Sequence, residues 1–205
     1  MGITIMYLYY NQPEALKHLE QTGLPSFDCK KVIVDDASDV PLVCDWAKVH
    51  RIDIDVPWNQ PAACNFGFSR IDDSETVLRM DIDHWVMESD FELLGPIDHG
   101  VVVQFDRVCH LIDGSTTDVP MANGIYMARL STIKEIGGYD ESYCGSYGYD
   151  DKELIYRLKK NGCKFVKHPS IKIHVKIDYH TKKLNRDTSV NKARYMKLIE
   201  SDNQG

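Results

Sequence analysis

Apolar positions along the chain follow two periods, and the switch between them sets the element order. Residues 3–10, ITIMYLYY, form a near-continuous apolar run rich in β-branched and aromatic side chains, as in a strand buried on both faces. NQPEALKHLEQTG then changes period: Leu16 and Leu19 are three apart, Pro13 sits early, Asn11 is a candidate cap and Gly23 a stop, which predicts a helix. KKVIVDDASD (30–39) is a second apolar run, ending in acids. RIDIDV (51–56) alternates and predicts a third strand. A helix start follows over 61–71, with Pro61 early and Ala62, Ala63 and Phe66 apolar, and ETVLRMDID (75–83) and GVVVQFDRV (100–108) predict two more strands.

From residue 120 the texture changes. NGIYMARL (123–130) leads to a short helix STIKEIGG, a Gly/Tyr-rich loop YDESYCGSYGY (139–149), a helix DDKELIYRLKKNG (150–162) and strand-like KFV and IKIHVKI. The tail from Asp178 is polar and closes on a predicted helix, VNKARYMKLIE. Strands alternating with helices argue for an α/β fold with a mainly parallel sheet covered on both faces. A length of 205 residues without internal repeats reads as one domain, 1–205.

Composition narrows the function classes. The chain is 43% hydrophobic and 27% charged, ordinary globular values, with a net charge of -7 that disfavours a general nucleic-acid partner. An anionic ligand would need a local offset, and a metal ion supplies one. No apolar run approaches the roughly 18 residues of a membrane span. MGITIMYLYYNQ lacks a basic region and a small-residue cleavage site, and Met6 stands where a myristoylation signal needs Ser or Thr, so neither a signal peptide nor a lipid anchor is expected. The six cysteines (29, 44, 64, 109, 144, 163) contain no Cys-x-x-Cys pair, which excludes zinc-ribbon and thioredoxin readings. Reduced thiols in a cytoplasmic protein are the expectation.

Three acidic constellations carry the candidate chemistry. Asp81 and Asp83 follow a predicted strand, where ligands of open α/β sheets bind. If the extended geometry continued, both would face one way and could approach one hard cation, Mg²⁺ or Mn²⁺; a polar loop or cap after a strand is the competing reading. Asp35 and Asp36 follow another strand, as acceptors for a base or ribose or as turn caps. Asp150 and Glu153 have capping-box spacing ahead of a helix, yet a helix N-terminal carboxylate at a cleft could also be a general base. The loop before them offers glycines for close ligand approach and Tyr147 and Tyr149 as sugar platforms. His174 lies inside an alternating strand, as a packed residue or as a third metal ligand.

In order, VDDASD, WNQPAACNFGF, VLRMDID, GGYDE…GYDDKELIYRLKKNG and a late histidine resemble family-2-type glycosyltransferases of the GT-A fold, with a galactosyltransferase-like C-terminal segment over 123–162. The resemblance covers nearly the whole chain. It implies a Rossmann-like αβα sandwich, a nucleotide-sugar half over about 1–105, and an acceptor and metal half over about 106–205 with a small antiparallel element. It further implies a metal-dependent inverting transferase moving a hexose from a nucleoside-diphosphate sugar, most often UDP-linked, to a hydroxyl of a glycan or glycoconjugate. Tyr9, Asn11, Asp35, Asp36, Asn59, Asn65 and Asp81 would serve the donor. Asp83, Asp81 and His174 would hold Mn²⁺ or Mg²⁺, with His180 competing for the late position. Asp151 would be the general base, with Asp150 helping to position the acceptor. Cys64 stands where the family often has Arg, and Asp-Asp replaces the commoner Glu-Asp. The chain is short for the family, so further domains or an oligomer are expected partners. Alternatives are a metal-dependent phosphohydrolase, a nucleotidyltransferase, or an inactive nucleotide-sugar-binding module. The first wants Ser or Thr after the acids where His84 stands, and the second a Gly-rich loop that YLYYNQPE lacks.

Overall fold

A computed structural model describes residues 2–22, 24, 27–176 and 186–204. The predicted periods become β1 (Ile3–Tyr9), α1 (Pro13–Glu20), β2 (Lys30–Asp36), β3 (Lys48–Ile52), α2 (Gln60–Phe68) and β4 (Thr76–Asp81). The second half comprises β5 (His84–Val86), β6 (Val101–His110), β7 (Thr116–Val119), β8 (Tyr126–Arg129), α3 (Leu130–Glu135), α4 (Asp150–Lys160), β9 (Lys164–Lys176) and α5 (Ser189–Asn203). Among the described residues, nine strands join one sheet in the order β3-β2-β1-β4-β8-β6-β9-β5, with β7 paired to β6.

The sheet has two characters. β3, β2, β1 and β4 run parallel, the β1 register matching Tyr9 with Asp35 and Leu8 with Asp81. Beyond β4 the pairing is mixed: β8 is antiparallel to both neighbours, while β9 runs parallel to β6 past a register shift between Gln104 and Asp106. Alternate strand residues feed two separate cores. Ile5, Tyr7, Leu78, Met80 and Phe105 pack with Ala15 and Leu19 of α1 on one face. Met6, Val77, Val102 and Ala128 pack with α2, α3 and α4 on the other, which gives the expected αβα layers. α2 lies very close to the sheet: a Cβ on Gly67 would sit 2.6 Å from Met6 Sδ and 2.8 Å from Val34 Cγ2. That glycine is a packing residue.

Several boundaries differ from the sequence reading. The third strand is Lys48–Ile52, earlier than 51–56, and KFV and IKIHVKI are one strand, β9, because both segments pair with β6. β5 and β7 were not predicted. Each is short, and each is stabilised by its antiparallel partner rather than by an apolar pattern of its own. The last helix is present as α5, whereas Gly23, His180 and the start of the tail lie outside the described residues.

Candidate active site

Parallel strands bring their acids to one edge. Asp35 is wholly buried and its carboxylate is consumed locally, accepting from the backbone N–H of Ser38 (3.1 Å) and Leu42 (3.0 Å) and pairing with Arg51. Burial alone would raise its pKa, but these donors hold it below the ordinary carboxylate value. Asp36 faces the cleft instead. Its single hydrogen-bond partner among the described residues is Asn59 Nδ2 at 2.7 Å, and burial raises its pKa. Asn11 is not a helix cap: its Oδ1 accepts from Asp39 N and its own N–H donates to Ser38 Oγ, tying the β1 and β2 loops together. Tyr9 is nearly buried at the β1 end beside Asp35. Among the described residues, four other than glycine adopt positive φ: Asn11 (50°), Ala37 (57°), Trp58 (51°) and Tyr149 (66°). Each sits in a loop that follows β1 or β2 or precedes α2 or α4, so the backbone strain gathers around this cleft.

At the end of β4 the chain turns rather than continuing extended, and β5 begins at His84. The turn still groups Asp81, Asp83 and His84, with one ligand atom of each lying within 4.8 Å of the others. Two carboxylates and an imidazole suit Mn²⁺ or Mg²⁺ in the residue types they offer, the imidazole favouring Mn²⁺. Asp83 Oδ1 lies 2.6 Å from His84 Nδ1, so Nε2 is the ring nitrogen left for an ion. The structure does not bring His174 to these acids. In the β5–β9 register His84 opposes Val175 and Trp85 opposes His174, which puts His174 on the other face of the sheet from His84. His174 rests there against Trp85, with Nδ1 2.8 Å from His110 Nε2.

Behind the acids lies a residue that the sequence reading passed over. Arg79, wholly buried in β4, donates to the carbonyl of Gly124 and places Nη2 2.9 Å from Asp81 Oδ1. That distance is an ion pair without hydrogen-bond geometry, and Nε has no acceptor among the described residues. Its charge also reaches Asp150 and Asp151, opposing the rise of their pKa values.

Asp150 and Asp151 open α4 without the expected capping box. Tyr149 precedes the helix in the left-handed region, and Glu153 pairs with Arg157. One side-chain amide serves both acids: Gln60 Nε2 donates to Asp150 Oδ2 at 2.8 Å and lies 3.2 Å from each oxygen of Asp151. Tyr139 donates its hydroxyl to Asp151 Oδ1 at 2.9 Å. Burial raises both pKa values, that of Asp150 to about 7 with Asp151 as the second cause. Gly124 is required here, since a Cβ would lie 2.6 Å from Asp151 Oδ2 and 2.8 Å from Arg79 Nη1. Asn59 and Gln60 are adjacent, so the first turn of α2 joins the strand-end acid Asp36 to the helix-end acids. Asn65, one helix turn on, faces away from the cleft: it brackets the backbone of Tyr139 with two 2.9 Å hydrogen bonds and also reaches Glu141.

Among known proteins, the family described as the N-terminal domain of galactosyltransferase matches residues 118–183, which include the end of β7 and all of β8, α3, α4 and β9. Solved structures extend the likeness over most of the chain. A structure of GalNAc-T7 with UDP, GalNAc and Mn²⁺ superposes with a TM-score of 0.69 at 15% identity, over 86% of this chain and 44% of that one. The fold is GT-A. A mannosyltransferase from Pyrobaculum calidifontis in complex with GDP-Man and Mn²⁺ gives 0.58 at 13% identity (84% of this chain, 56% of that one). Residues 1–349 of S. aureus TarS give 0.60 at 12% identity (86% and 60%). The chain therefore spans about half the length of these proteins. No curated protein sequence matches it. The sequence resemblance to GT-A glycosyltransferases, including the galactosyltransferase-like segment, is borne out. No described helix is long and apolar enough to cross a membrane.

Proposed function

We propose that this chain is the catalytic domain of a metal-dependent, inverting glycosyltransferase that moves a hexose from a nucleoside-diphosphate sugar, UDP-linked, to a hydroxyl of a glycan or glycoconjugate. One observation carries the reading: the first turn of α2 holds Asp36 with one amide and Asp150 and Asp151 with the next, so strand-end and helix-end acids share one cleft. The GT-A neighbours that contain UDP or GDP-mannose with Mn²⁺ support the donor class.

Asp36 takes the nucleobase side, with Tyr9 and Asn11 at the neighbouring strand end. Asp35 shapes the loop, through its bonds to Ser38, Leu42 and Arg51. Asp81, Asp83 and His84 hold the divalent ion, which when bound offsets charge on the departing diphosphate. Asp151 accepts the proton of the acceptor hydroxyl as the oxygen bonds to the anomeric carbon and the bond to the diphosphate oxygen breaks. Tyr139 and Gln60 fix the direction of that carboxylate, and Asp150 and the Trp58–Tyr147 ring pair, 4.5 Å apart, face the acceptor. One base supports a single displacement with inversion. All six cysteines are free thiols, which accords with a reducing cytoplasmic setting.

The test is a panel of UDP-hexoses with Mn²⁺ and hydroxyl acceptors, read as UDP release, with NMR of the product's anomeric configuration. Release with an inverted product is expected. A retained configuration would remove the single-base assignment, and no release from any donor would remove the transferase reading.

A further inference from the structure

The acid cluster is flanked by two guanidinium groups, and they are in different situations. Arg79 is wholly buried and committed to Gly124 and Asp81. Arg107, on β6, is only partly buried. Its Nε donates to the carbonyl of Pro120 at 2.8 Å, and its Nη1 lies 3.3 Å from His84 Nε2. Strand register explains the approach: Arg107 opposes Ile173 and Cys109 opposes Val175 on β9, while Val175 opposes His84, so Arg107 shares the face of His84. Burial lowers its pKa, and Asp83 and Asp81 oppose that lowering.

We propose that Arg107 is a second cation for the donor's diphosphate, sharing the acid cluster with the divalent ion. This rests on the nucleotide-sugar reading above. Charge balance carries it. Arg79 pairs with Asp81 and Arg107 stands beside the Asp83–His84 pair, so two carboxylates and two guanidinium groups sum to zero there, and a divalent ion bound among them would add about two positive charges, the complement of a diphosphate diester. The atoms agree with the charges. His84 Nδ1 is engaged by Asp83, and Nε2, the ring atom left for an ion, accepts from Arg107 Nη1, so an ion at Nε2 would release that arm of the guanidinium beside it. A guanidinium beside the residues that would hold the ion is placed to meet a diphosphate bound there, and its planar fork is suited to phosphate oxygens. The net charge of -7 had pointed to a metal alone as the offset. The structure adds a basic side chain that the pairings of β6 with β9 and of β9 with β5 bring to the same place.

Calorimetric titration of UDP and of uridine, with Mn²⁺, into wild type, Arg107→Gln and Arg107→Lys tests this, beside Mn²⁺ titrated alone. Arg107→Gln is expected to weaken UDP by about 10- to 100-fold, the range of a charged hydrogen bond. Uridine affinity stays unchanged, Mn²⁺ affinity does not fall because a competing cation has gone, and Arg107→Lys recovers part of the loss. Unchanged UDP affinity in Arg107→Gln would overturn the proposal. Parallel losses for UDP, uridine and Mn²⁺ would also overturn it, showing Arg107 to be only a brace for the 120–124 segment. A wild type that binds no UDP in Mn²⁺ would instead sink the nucleotide-sugar reading, and this proposal with it.

Discussion

Two Asp-Asp dipeptides stand at this cleft, and they behave oppositely. Asp35-Asp36 ends a parallel strand, where Ser38 and Leu42 supply backbone donors and Arg51 supplies a charge. One acid absorbs all of these and becomes a structural anion, which leaves its neighbour facing the cleft. Asp150-Asp151 opens a helix where donors are scarce: one Gln60 amide and one Tyr139 hydroxyl serve two acids, with Arg79 as the nearby charge. Neither acid is saturated, burial raises both pKa values, and the pair is suited to take up a proton. The identity of the dipeptide says little about its chemistry; the supply of donors decides it.

The sharpest way to break this contrast is Asp151→Asn, which keeps the shape and removes the base. It is expected to lower kcat by about 10³-fold while UDP binding by calorimetry stays within a factor of a few. Near-normal transfer would move the base elsewhere. Next is Asp35→Asn, which leaves Arg51 and two backbone donors poorly matched and should cost about 1.5–3 kcal/mol in urea unfolding. Asp36→Asn should cost less than about 1 kcal/mol and act on donor affinity instead. Equal destabilisation by the two would erase the division of labour. Gly124→Ala forces a methyl against Asp151 and Arg79, and a loss of about tenfold in kcat with unchanged UDP affinity is the expected result.

Smallest, but opposite in sign for the two dipeptides, are the pH effects on stability measured in EDTA. Asp150 holds its proton more tightly folded than unfolded, so it lowers stability as pH rises from about 4 to about 7. Asp150→Asn should therefore raise Tm at pH 7 relative to pH 4. Asp35, with a depressed pKa, contributes stability above its unfolded value that is lost as pH falls through the folded one. Asp35→Asn should accordingly flatten the acid limb of the Tm profile. Profiles that move the same way would contradict the assignment.

Most of the parallel half was legible in the sequence because its strands are apolar on both faces and end in acids, as KKVIVDD and VLRMD do. The mixed half was less so. β5 and β7 owe their existence to partners far away in sequence, and pairing of that kind leaves no local period. The family resemblance makes His174 a late metal ligand, but only the register of β5 on β9 reveals which face it occupies, and a one-residue step exchanges the faces. His84 was overlooked although it adjoins the acids, since a residue directly after Asp83 comes near them only if the chain turns. Arg79 left a local signal, a charge in the middle of an apolar strand, and buried arginines are rare without a partner. Gln60, Tyr139 and Arg107 gave no such signal: their roles depend on which loops meet.

The central claim is that the cleft binds a nucleoside-diphosphate sugar through a divalent ion held by the β4–β5 turn. The most direct test is the melting temperature of wild type and Asp83→Ala across a panel of UDP- and GDP-hexoses, in Mn²⁺ and in EDTA. At least one nucleotide sugar is expected to raise the wild-type Tm by several degrees in Mn²⁺, a shift that EDTA removes and Asp83→Ala lacks. A panel in which no nucleotide sugar moves the Tm in Mn²⁺, or in which the shift persists unchanged in Asp83→Ala, would contradict the account.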